Sequence, residues 1–123
     1  MLLSCGWTTG SDAEPRPSNP ATAESICENR SELRDRSVSV EGTFLGWRGT
    51  SCPPAACASG ATTRGDWRIR VGTECFYVMG GRPATLDPLD SASTGRRLRL
   101  TAIVRMTGEE QVYLQHVAST ALD

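Results

Sequence analysis

The sequence contains no lysine; all 13 basic residues are arginine. Codon bias in a GC-rich genome accounts for that without function, and selection of guanidinium for phosphate or carboxylate recognition is the alternative. Histidine occurs once, at His116, so no pair of histidines exists at metal-ligand spacing. No apolar run approaches the roughly 18 residues that a membrane-spanning helix requires. The formal charge is −1, which removes any overall attraction to nucleic acid. No phosphate-binding loop or dinucleotide signature occurs. The length, 123 residues, gives room for one domain.

Cysteine, by contrast, is abundant: Cys5, Cys27, Cys52, Cys57 and Cys75. An odd count leaves one thiol over in an oxidising compartment. The odd residue has a separate explanation. Leu2-Leu3-Ser4-Cys5-Gly6 resembles a bacterial lipobox, with leucine three before the cysteine and a small residue just before it. The basic start and apolar run of a signal peptide do not precede it, which implies a late-called start or a truncation. An accidental match is the bland alternative. The resemblance implies lipidation at Cys5, and with it an extracytoplasmic, membrane-anchored chain held by lipid rather than by a transmembrane helix.

Residues 1–22 read as this start followed by a flexible linker, with Pro15, Pro17 and Pro20 among Gly, Ser, Asp and Asn. Residues 23–35 read as a short helix. From Ser37 the apolar period becomes two. Strand one runs to Trp47, and Gly42 and Gly46 permit the coiling of a small barrel. A loop at 48–65 follows. Trp67, Ile69 and Val71 form strand two, Gly72-Thr73-Glu74 a turn, and Cys75 to Met79 strand three. After a second loop at 80–95, with room for a short helix, Leu98 to Met106 alternate as strand four and Val112 to Val117 as strand five. The body is 23–118 and the tail 119–123. The expected fold is all-β: a closed five-stranded barrel of the oligonucleotide/oligosaccharide-binding (OB) type with a short N-terminal helix. A five-stranded SH3-like barrel is the nearest competitor.

Five segments appear in one order: VSVEGTFLGW from Val38, TRGDW from Thr63, CFYVMGG from Cys75, LDPLD from Leu86, and GRRLRLTAIVRMTGEEQVYL from Gly95. This order resembles small stand-alone OB-fold domains of bacteria and archaea, often exported or membrane-anchored, over about residues 37–117. Gly65 stands where serine is usual, and Arg70-Val71-Gly72 where an acidic residue opens the turn. The resemblance implies a fold and membrane proximity, and no reaction.

Four cysteines remain after Cys5. Cys52 and Cys57 are too isolated for a zinc set. Disulfides suit an exported chain. Strand topology favours Cys27–Cys75 at one barrel end and Cys52–Cys57 in the loop at the other; Cys52 or Cys57 with Cys75 is the alternative. Trp47 and Trp67 flank the first long loop, either as core packing or as a stacking platform for a base or sugar. Tyr77 is similarly placed. Arg68, Arg70, Arg97, Arg99 and Arg105 lie on outward strand faces. They form a solvated exterior, or in part an anion-binding face. The candidate ligand-binding set is Trp47, Arg64, Trp67, Arg68, Arg70 and Tyr77. His116 has no serine or cysteine partner that the sequence places, and Asp66, Asp87 and Asp90 sit at turns. The expectation is therefore a non-enzymatic binding module without catalytic residues, cofactor or metal. Its partner is a protein or an envelope glycan. Single-stranded nucleic acid is the alternative ligand, disfavoured by the charge balance.

Overall fold

The computed structural model describes residues 20–46, 51–61, 65–83, 86, 93–108 and 110–122. Cys5, Trp47, Arg64 and most of the linker lie outside the described residues. The elements are α1 (Ala23–Glu28), α2 (Arg30–Leu33), β1 (Ser37–Gly46), β2 (Trp67–Val71), β3 (Glu74–Met79), β4 (Arg97–Thr107) and β5 (Gln111–Ala121). The strands close into a barrel in the order β1-β2-β3-β5-β4, every pair antiparallel except β3 with β5. This is the OB-type barrel that the alternation predicts.

The alternation translates directly into burial. Val40, Phe44, Trp67, Ile69, Phe76, Val78, Leu98, Leu100, Ala102, Val104, Val112 and Leu114 fill the interior. Gly42 is required where β1 crosses β2: a Cβ there would sit 2.4 Å from the Arg70 carbonyl oxygen. Two bulges adjust the ladder. Leu45 interrupts the pairing of β1 with β2, and Val117 that of β5 with β4.

Several boundaries differ from the sequence expectation. The helix expected over 23–35 is broken at Asn29 into two short pieces, and Asp35 then turns the chain into β1 at φ 64°. Aspartate tolerates that left-handed conformation, and Asp35 is fixed there by its amide donating to the Val104 carbonyl. The folded body begins before residue 23. Ala21 N–H donates to Ser39 O, and Thr22 forms a capping box with Ser25. Ile26, fully buried, belongs to the barrel core. At the other end, β5 passes through the expected tail to Ala121, because the bulge at Val117 shifts the register and lets pairing with β4 resume.

Candidate binding groove on the β2–β3 face

β2 and β3 form a hairpin whose cross-strand pairs alternate between core and surface. Trp67–Val78 and Ile69–Phe76 face inward; Arg68–Tyr77 and Arg70–Cys75 face outward. Below the direct pairing of Val78–Leu114 and Met79–Gln115, β3 and β5 separate. The first long loop fills the space between them. Cys75 N–H donates to Pro53 O at 2.9 Å, and Ala55 N–H to Cys75 O at 3.0 Å. Four residues on, Val112 N–H donates to Cys57 O at 2.7 Å, and Ser59 N–H to Val112 O at 2.8 Å. Residues 53–59 therefore act as a surrogate strand. They bridge β3 to β5 with main-chain bonds and place Ala55 and Cys57 in the core. The barrel gains closure along the gap where OB barrels are commonly open.

Two disulfides pin this segment: Cys27–Cys57 and Cys52–Cys75, with Cα separations of 5.4 and 6.0 Å. The favoured pairing of Cys27 with Cys75 and Cys52 with Cys57 is thus corrected. The loop does not remain at the far end of the barrel. It runs along the barrel wall, passing Cys75 first and reaching the helical end at Cys57, where Cys27 waits. A dozen residues in extended form reach about 40 Å, ample for that path. Two disulfides suit an oxidising, extracytoplasmic environment. Among the described residues no helix is long and apolar enough to cross a membrane.

Between the segment and the outer face of β2–β3 lies a groove of about 280 Å³, bordered by Cys52, Pro54, Ser59, Gly60, Arg68 and Tyr77. Arg68 and Tyr77 are direct cross-strand partners on this face. Of the residues singled out from sequence, Arg68 and Tyr77 meet here. Arg70 lies one pair further along the same face and does not border the groove. Trp67 does not reach it either. Its ring is fully buried, 4.8 Å from that of Phe44, and its Nε1–H donates to Gly81 O at 2.6 Å. The stacking-platform expectation for Trp67 is corrected accordingly: the side chain has no free face for a base or sugar. Trp47 and Arg64 lie outside the described residues.

The arginines of β4 serve the barrel exterior. Arg99 pairs with Glu41, its cross-strand neighbour, at 2.6 Å; Arg105 reaches Asp35 and Gln115. His116, for which the sequence placed no serine partner, has one: Nε2 lies 3.2 Å from Ser119 Oγ. The Val117 bulge brings the two to one side of β5. Partial burial lowers the imidazole pKa below its usual value. Gly81 packs so closely on this ring that a Cβ there would stand 3.0 Å from Nδ1.

A larger cavity of about 620 Å³ opens at the other side of β2–β3, around the Gly72-Thr73 turn and the start of α1. It is a wide depression with carboxylates and an arginine of opposite sign on its walls, and Glu41 there is committed to Arg99. The smaller groove is the more enclosed of the two and has a mixed aromatic and polar lining. Pro54, Ser59 and Gly60 of the loop, a third of that lining, carried no signal of their own in the sequence. Compared with known proteins, the chain matches no family model, no curated protein and no solved structure.

Proposed function

We propose that this chain is a non-enzymatic, extracytoplasmic OB-fold binding module, tethered to a membrane through lipidated Cys5, and that its groove receives an envelope glycan. The observation that carries the reading is the coincidence of Arg68 and Tyr77 with a partly enclosed groove on the β2–β3 face. That face, with the loop following β1, is where OB barrels bind oligosaccharides and oligonucleotides. The groove volume of about 280 Å³ lies just below the span of small-ligand sites, roughly 300–1,000 Å³, which suits individual sugar rings rather than a protein surface. Tyr77 offers an aromatic face with a polar tip, and Arg68 a guanidinium donor fork.

Nucleic acid is the weaker choice. The net charge is −1, two β4 arginines are committed to carboxylates, and Trp67 is inside the barrel. The test is titration calorimetry of the folded chain against bacterial cell-wall and capsular glycan fragments, with single-stranded oligonucleotide in parallel. Saturable glycan binding, lost in Tyr77→Ala with an unchanged melting temperature, supports the reading. Oligonucleotide binding with a steep salt dependence and no glycan binding overturns it. Detergent-phase partitioning of the protein from its native host, lost on Cys5→Ala, tests the tether separately.

A further inference from the structure

The two disulfides occupy different environments. Cys27 and Cys57 pack with the barrel core, and the Cys57 amide lies 3.2 Å from Cys27 Sγ. Cys75 is as buried as Cys57, but it and Cys52 both border the groove that Arg68 and Tyr77 also line. We propose that Cys52–Cys75 is a thiol–disulfide exchange site, addressed in the folded protein by a dithiol oxidoreductase, and that its reduction opens the groove. The consequence for ligand access rests on the groove reading above; the exchange chemistry does not.

Access selects the sulfur. Cys75 is 4% exposed, whereas Cys52 is half-buried at the rim. A reductant thiolate therefore attacks Cys52 Sγ. The bond from the reductant sulfur to Cys52 forms as the Cys52–Cys75 bond breaks, and Cys75 leaves as a thiolate that takes a proton from solvent. The second thiol of the reductant then attacks its own sulfur in the mixed disulfide and releases Cys52, also protonated. The protein gains two electrons and two protons, and the dithiol becomes a disulfide.

The segment is pinned at two points, and reduction releases only one. Cys27–Cys57 keeps the far half against β5 through the Cys57 and Ser59 bonds to Val112. The near half, from Cys52 to Ala55, keeps two main-chain bonds to Cys75, with Ala55 anchored at its end by core burial and by the Ala58 N–H bond to its carbonyl. Freed of its covalent tie, that half lifts from β3 and widens the groove on the side bordered by Cys52 and Pro54.

The experiment exposes the oxidised full chain, under native conditions, to a limiting thioredoxin-type dithiol protein. Aliquots are acid-quenched, their free thiols alkylated and located by mass spectrometry, and amide exchange is followed on the reduced product. The expected result is alkylation of Cys52 and Cys75 at least about tenfold faster than of Cys27 and Cys57. The amides of Ala55 and Cys75 then gain at least about tenfold more in exchange rate than those of Ser59 and Val112. Cys52→Ser combined with Cys75→Ser reproduces this exchange pattern without reductant. Equal rates, earlier opening of Cys27–Cys57, or unchanged exchange at Ala55 and Cys75 overturns the proposal. Neither readout uses a ligand, so failure here leaves the glycan titration standing, and a failed titration leaves the order of reduction standing.

Discussion

Replacing Trp67 by phenylalanine separates a core role from a ligand-stacking role. The indole is fully buried and donates one hydrogen bond, to Gly81 O at 2.6 Å. Losing that bond removes about 1 kcal/mol, because Gly81 is exposed and water can satisfy its carbonyl in part. The smaller ring leaves a void on the order of 40 Å³, which at about 24 cal/mol per Å³ adds about 1 kcal/mol. The contact with the Phe44 ring survives in reduced form. The total is about 2 kcal/mol, and for a domain of this size that lowers the melting temperature by roughly 8–16 °C. Urea denaturation of wild type and variant, with an unchanged slope, measures it directly. A loss below about 0.5 kcal/mol, the range of an ordinary surface substitution, refutes the core assignment.

Gly42→Ala forces a methyl to 2.4 Å from the Arg70 carbonyl and should destabilise by about 3 kcal/mol, read as a lower urea midpoint. Cys52→Ser with Cys75→Ser opens a loop of sequence separation 23, for a loss of about 3 kcal/mol by loop-closure entropy, measured by thermal denaturation. Glu41→Gln removes a substantially exposed ion pair and should cost well under 1 kcal/mol, less at high salt. His116 has a depressed pKa in the folded state, so the unfolded chain binds its proton more readily. Stability is therefore fully present above pH 6.5 and falls as pH drops from there through the folded value. Denaturation midpoints measured across that window should show the fall in wild type and its attenuation in His116→Gln.

The strands were legible because each half-buried ribbon alternates: Leu98, Leu100, Ala102 and Val104 against Arg97, Arg99, Thr101 and Ile103 admits one inward face. The path of residues 53–59 was not. Pro53-Pro54-Ala55-Ala56-Cys57-Ala58 has no period of two, and its strand-like role rests on main-chain bonds to Cys75 and Val112, which any side chain permits. The disulfide pairing followed that error, since it depends on where the loop runs. The extension of β5 was hidden for a related reason: the bulge at Val117 inverts the alternation just where an unbroken period would announce more strand. In the groove, Arg68 and Tyr77 could be found as an outward cross-strand pair. Trp67 could not be assigned by residue type alone, because burial and stacking favour the same large aromatic ring.

The surrogate strand makes the groove, and the disulfides report its path. Non-reducing peptide mapping tests this directly, provided that elastase cleavage after Ala55 or Ala56 first separates Cys52 from Cys57. Cross-linked peptides joining Cys27 to Cys57 and Cys52 to Cys75 are the predicted result. Peptides joining Cys27 to Cys75 and Cys52 to Cys57 contradict it, for they would leave the loop away from β3 and the groove without its wall.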